Sequence, residues 1–221
     1  MRIWITRTLP EADATARRLA ARGHAPIVAP VLEARAVASV RLDLAGVDAI
    51  AFTSGHAIAA FAGLTRARDL PVFTVGDATA ALARAAGFSD VHSADGNAET
   101  LAELIAREQR DGQRVLHPTA REPAADLTGL LGARGVSATP LTVYETLATA
   151  LAAPPADADA VLIHSARAAA RVAVLVEDAN RLDLEAYAIS PAAARPLSRL
   201  GLARLEAAPF PNESALLELL R

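Results

Sequence analysis

No cysteine and no lysine occur anywhere in this 221-residue sequence. Without a thiol there is no disulfide, no thiolate nucleophile and no cysteine-ligated zinc. Without a lysine amine there is no Schiff base, no covalently held pyridoxal phosphate and no P-loop. The basic side chains other than histidine are therefore all arginines, whose planar fork suits bidentate binding of carboxylates. Aromatics are scarce at 4%, so any core is packed mainly with aliphatic side chains. A formal charge of −3 gives no general basis for nucleic-acid binding. No apolar run is long enough to span a bilayer, and Met1-Arg2-Ile3-Trp4-Ile5-Thr6 reads as a strand rather than a signal peptide. The expectation is a soluble cytoplasmic protein with no membrane or nucleic-acid partner.

Several motifs are missing too. The histidines, at 24, 56, 92, 117 and 164, show neither HxH nor HxxxH spacing, so no metal site is expected. No G-x-G-x-x-G follows a strand; the glycines at 129, 132 and 135 have the wrong spacing for a dinucleotide fingerprint. Ser54 and Ser165 lie outside any G-x-S-x-G elbow.

What remains is an apolar chain, 52% hydrophobic, long for one domain and comfortable for two. Short apolar runs alternate with Ala/Leu/Arg segments of helical period, which predicts an α/β fold with parallel sheets. Strands are expected over 2–6, 26–29, 48–53, 72–75, 114–117, 138–143, 160–164, 185–189 and 203–206. Helices are expected over 11–22, 57–64, 78–86, 98–110, 123–134, 166–175, 192–200 and 213–220. Asn97 and Asn212 are placed to cap two of them.

The chain also repeats itself. Segments beginning at Arg2, Ala49, Val75 and Asn97 resemble segments beginning at Arg114, Ala160, Ile189 and Asn212, at offsets of 112, 111, 114 and 115. Four matches in constant order point to internal duplication. The stretches 30–44 and 144–159 interrupt the alternation at equivalent places and read as crossings between domains.

In open parallel sheets, ligands bind beyond the carboxyl ends of the strands, where helix N-termini present free amides. The residues expected there include Thr6-Arg7-Thr8, Thr53-Ser54-Gly55-His56, Gly76-Asp77-Ala78-Thr79, Thr119-Ala120-Arg121, His164-Ser165 and Ser190-Pro191. Small hydroxyls, exposed amides and arginines form an anion-recognising set, although the same hydroxyls can simply cap helices. Tyr144, one of two tyrosines, falls where the sixth expected strand leaves for the second crossing. Its phenol is either a neutral proton donor or an aromatic wedge at a hinge.

These residues, in this order, resemble the uroporphyrinogen-III synthase family nearly end to end. The likeness comprises Ile5-Thr6-Arg7, Pro30-Val31-Leu32, Phe52-Thr53-Ser54, Val75-Gly76-Asp77-Ala78-Thr79, Gly96-Asn97-Ala98-Glu99, Val143-Tyr144-Glu145-Thr146 and His164-Ser165. It departs at Ser190-Pro191-Ala192-Ala193, where the family usually has a Gly-Pro-Thr-Thr type turn, and at Gly55, which is often proline.

The resemblance implies two flavodoxin-like parallel-sheet domains joined by two extended linkers, with the working site in the cleft between them. It assigns 1–31 with 149–221 to one domain and 37–143 to the other, with linkers at 32–36 and 144–148. It further implies a cofactor-independent lyase that cyclises hydroxymethylbilane, a linear tetrapyrrole polycarboxylate, with inversion of ring D through a spiro intermediate; a monomer is the default expectation. The alternative is a non-catalytic or divergent anion- or tetrapyrrole-binding protein of the same fold. Tyr144 matches the family's tyrosine and is expected to protonate the departing hydroxyl. Ser54, Thr79 and Ser165, with main-chain amides, are the expected carboxylate binders. Thr53, Gly76 and Ser190 occupy the same tips, and Arg7 and Arg121 are added on electrostatic grounds.

Overall fold

A computed structural model describes residues 1–108 and 112–220. In chain order the first elements are β1 (Arg2–Ile5), α1 (Glu11–Ala21), β2 (Ala25–Val28), β3 (Leu32–Ala36), β4 (Ala49–Phe52) and α2 (Gly55–Leu64). Next come β5 (Val72–Thr74), α3 (Asp77–Ala85), β6 (Val91–Ser93), α4 (Ala98–Glu108), β7 (Arg114–Ala120), α5 (Leu127–Gly132) and β8 (Ser137–Ala148). The chain ends with β9 (Ala160–Ile163), α6 (Ala166–Asp178), β10 (Glu185–Ala188), α7 (Pro191–Ala194), a 3-10 turn (Arg195–Leu197), β11 (Arg204–Ala207) and α8 (Glu213–Leu217). Two units result, one of Met1–Glu33 with Leu147–Arg221 and one of Ala34–Thr146.

The first unit is built on a five-stranded sheet of order β11-β10-β9-β1-β2 in which every pairing is parallel. Read from β2, this is the 2-1-3-4-5 order of flavodoxin-like folds. The second unit is built on β3-β8-β7-β4-β5-β6. From β8 to β6 it has the same order if β7 is taken as the first strand, and these four pairings are parallel. The α/β class with mostly parallel sheets expected from sequence is thus the one observed.

Parallel sheets covered on both faces need strands that are apolar throughout. β4 and β9, reading AIAF and AVLI, are buried at every position. Trp4, Val161 and Ile163 pack with Val172 and Val176 of α6 on one face, while Ile3, Ile5 and Leu162 pack with Leu19 and Leu216 on the other. The buried Trp4 indole N–H is satisfied by the Ala29 carbonyl at 2.7 Å. In the second unit Phe52, Phe61 and Phe88 cluster on one face, and Phe73, Leu101 and Ile105 on the other.

Several boundaries differ from expectation for identifiable reasons. β3 forms inside the first crossing, and the residues assigned to both linkers, 32–36 and 144–148, lie in adjacent strands β3 and β8. β6 also lies outside the strands expected from sequence. The helix expected over 123–134 begins only at Leu127, because the Asp126 carboxylate accepts the Gly129 N–H at 2.9 Å and fixes the start. The helix expected over 192–200 ends as α7 and gives way to the 3-10 turn, since Pro196 supplies no N–H. The helix expected over 98–110 is described to Glu108, its last two residues lying outside the described residues. β7 runs through Pro118 without cost to its pairing with β4, which involves only Val115 and Leu116. Among the described residues no helix is long and apolar enough to cross a membrane.

Candidate functional site

Each sheet has one place where the chain order reverses: between β9 and β1 in the first unit, and between β4 and β7 in the second. Loops diverge there and leave the strand tips and helix N-termini accessible.

In the second unit, Ser54 is extended and begins α2, its Oγ accepting the His56 N–H at 3.2 Å. Val75 N–H donates to the Phe52 carbonyl at 3.1 Å, which holds the β4 and β5 tips side by side. At the β5 tip Gly76 begins α3, and half-buried Thr79 lies in its first turn. A Cβ at Gly55 would displace only the tip of the exposed Leu82 side chain.

Thr53 Oγ1 is 3.4 Å from Nε2 of His117, which is buried in β7. Burial pushes the His117 imidazole down to about 4, only partly opposed by Asp126, so the ring is neutral near pH 7.

Tyr144 belongs inside β8 rather than at a strand exit. The β7–β8 register shifts where Thr119 pairs with Thr142 but Ala120 pairs with Tyr144, leaving Val143 as the extra residue of a bulge. Arg121 N–H donates to the Tyr144 carbonyl at 2.9 Å, and Arg121 Nε reaches Glu145 at the same distance. The Tyr144 ring is 9% exposed and lies against His56, with ring centroids 5.7 Å apart. The structure therefore brings Thr53, Ser54, His56, His117 and Tyr144 into one neighbourhood, with Gly76 and Thr79 on the adjoining tip. The sequence places His56 at this tip without giving it a role, and it does not connect His117 with Tyr144 or Thr53. The one available signal is that His56 follows the Ser54 cap by two residues.

In the first unit, Thr6 Oγ1 donates to the Leu162 carbonyl at 2.6 Å and ties the β1 tip to β9. Ser165 caps α6 by accepting the Ala168 N–H at 3.1 Å, and Ser190 caps α7 by accepting the Ala193 N–H at 3.2 Å. Ile189 N–H donates to the Ile163 carbonyl at 2.8 Å, so these two tips also stand side by side. Ser165→Ala removes one of the few bonds to α6's first-turn amides and is expected to cost about 1 kcal/mol, read as a lower denaturation midpoint.

Arg7, placed at a tip by sequence, is engaged with the protein's own carboxylate. Its Nη1 lies 3.0 Å from Glu213, which is also held by Arg18 at 2.7 Å and by the Thr15 hydroxyl at 2.6 Å. Burial opposes ionisation of Glu213, but Thr15, Arg7 and Arg18 outweigh it and hold the carboxyl below its ordinary range. Beside this group, both ring nitrogens of His164 are buried without a hydrogen-bond partner. Burial, reinforced by Arg7 and opposed by Glu213, brings the His164 imidazole down to about 4. Among the described residues no group of His, Asp or Glu side chains converges in a way that could hold a metal ion.

The fold and its tips define a class: an α/β protein of two flavodoxin-like units whose sheet switch points present hydroxyls and helix amides suited to anions. The chain belongs to the uroporphyrinogen-III synthase family, whose model (HEM4, Uroporphyrinogen-III synthase HemD) matches residues 13–218. Its fold is similar to that of uroporphyrinogen-III synthetase from Helicobacter pylori 26695, with 18% identity, a TM-score of 0.70, and coverage of 99% of this chain and 96% of that one. A mutant uroporphyrinogen III synthase from the extremely thermophilic bacterium Thermus thermophilus is similar over the same shares, at 18% identity and a TM-score of 0.55. No curated protein matches the sequence.

Proposed function

We propose that this protein closes hydroxymethylbilane to uroporphyrinogen III, acting as a cytoplasmic monomer without a cofactor. The observation that carries this reading is the family match across residues 13–218.

The chemistry needs acid assistance and positioning. Tyr144 donates its phenolic proton to the terminal hydroxyl of the bilane. The C–O bond breaks, water leaves, and the pyrrole nitrogen lone pair forms the electrophilic azafulvene. The substituted carbon of ring D attacks that carbon to give the spiro intermediate. Fragmentation and reclosure with ring D inverted follow, and proton loss from the closing ring carbon restores aromaticity and can return a proton to the Tyr144 phenolate.

Positioned acid catalysis contributes on the order of 10²–10⁴-fold. Holding a flexible chain in reactive geometry can contribute about 7–11 kcal/mol more. The strand tips of both units serve that second purpose. Ser54, Thr53, Gly76 and Thr79 in one, and Ser165 and Ser190 in the other, hold substrate carboxylates with hydroxyls and first-turn amides. Arg121, paired with Glu145 beside Tyr144, contributes near the reacting end through its field and not as a free fork. Arg7, already paired with Glu213, acts through its field rather than as a free fork.

The bilane also closes unaided, to the uninverted type I isomer, so the product itself reports the activity. Supplied with freshly made hydroxymethylbilane, the protein should yield mainly the type III isomer, faster than spontaneous closure. Type I product alone, at the spontaneous rate, would overturn the assignment.

A further inference from the structure

Most tip residues carry a hydroxyl, but the segment 190–193 carries only that of Ser190, which caps α7. What lies beside this tip is different in character. Between α7 with its 3-10 turn and the edge strand β11 runs a groove of about 550 Å³, walled by Pro191, Ala192, Ala194, Leu205 and Ala207. That volume falls in the range of about 300–1,000 Å³ typical of small-molecule sites. Arg195 and Ser198 line the groove and also a neighbouring hollow of about 320 Å³, whose other walls are Pro196 and Arg199.

The two arginines combine the lack, among the described residues, of a carboxylate partner with a place on the wall of a hollow. Arg7 and Arg18 are taken by Glu213, Arg121 by Glu145, and Arg68 and Arg171 by main-chain carbonyls. Arg195 and Arg199 have no carboxylate partner among the described residues and line a cavity instead. Leu205 and Ala207 are two apart on β11 and so face the groove together. An apolar slot with Arg195 on its wall and Arg199 in the neighbouring hollow, beside a strand tip, is complementary to a flat apolar ring that carries carboxylates.

We propose that this groove is a subsite for one carboxylate-bearing pyrrole ring of the substrate, with Arg195 and Arg199 as its carboxylate ligands. The proposal rests on the synthase reading above and extends it to a substrate contact made by side-chain charge rather than by hydroxyls. Both arginines are exposed, so each contact is worth little on its own.

The test is steady-state kinetics of type III formation from hydroxymethylbilane with R195A, R199A, the double variant, and A192W, which fills the groove from an exposed position. KM should rise about threefold for each single arginine variant and about tenfold for the double, with kcat within about twofold of the parent. A192W should match the double variant. R17A, which removes an exposed arginine from α1, controls for net charge and should leave KM unchanged. Equal KM values for the double variant and R17A would overturn the subsite. If the parent protein made no type III isomer, the synthase reading would fall separately. Fluorescence titration with uroporphyrin III would then decide the groove: weaker binding by the double variant than by R17A sustains it, and equal binding refutes it.

Discussion

Tyr144→Phe is expected to lower kcat for type III formation by about 10²–10⁴-fold while leaving the protein folded. The substitution deletes one oxygen and keeps the ring that packs with Val143 and His56 at the β8 bulge. Folding and catalysis should therefore separate. The denaturation midpoint should stay close to the parent's, KM should change little, and the product should drift toward the type I isomer as spontaneous closure competes. Unchanged turnover would reduce Tyr144 to an aromatic wedge that fixes the strand.

The second large effect is on stability at mildly acid pH. His117 and His164 each have an imidazole brought from an ordinary 6.5 to about 4, chiefly by burial. The folded state thus refuses a proton that the unfolded state accepts. Their contribution is fully present above pH 6.5, is lost as pH falls from about 6.5 to about 4, and levels off below that. A shift of this size corresponds to about 3 kcal/mol for each group over the whole window, and about 2 kcal/mol of it is gone by pH 5. One of these two histidines lies in each unit, so acid should weaken both.

His164→Phe offers a clean test, because neither ring nitrogen of His164 has a hydrogen-bond partner to strand. Denaturant midpoints measured at pH 7 and pH 5 should differ less in this variant than in the parent. Working above pH 5 keeps most carboxylates out of the titration. An identical pH dependence in parent and variant would contradict the burial argument.

Both expectations depend on features that sequence conveys unevenly. The inner strands are legible because runs such as AIAF and AVLI, buried at every position, have no polar residue to expose. The caps at Asn97 and Asn212 are legible as well, and their Oδ1 atoms accept N–H groups of Thr100 and Ala215 at 3.1 and 2.9 Å. β3 is not. Its LEARA alternates, but only Leu32 is buried and the other apolar positions are alanines, and in an alanine-rich chain that alternation carries little information. β8 outruns its expected span because nothing local in 144–148 announces pairing, which depends on the neighbouring strands β3 and β7.

Site residues divide in the same way. Ser54 and Ser165 can be found because strand-to-helix junctions are local. The engagement of Arg7 is hidden, since its partner Glu213 lies 206 residues away in sequence. Likewise the contact between His56 and Tyr144 exists only once β8 has been registered against its neighbours. Burial of His117 and His164 is a property of the finished core, and no spacing rule marks it.

Strand tips in each unit are proposed to take substrate carboxylates. Amide hydrogen exchange with and without one equivalent of uroporphyrinogen III, kept reduced, tests this most directly, because first-turn helix amides lack intrahelical partners and exchange readily when unliganded. Slowed exchange is expected at the starts of α2 and α3 in one unit and of α6 in the other. Protection confined to a single unit, or none at these helix starts, would contradict that proposal.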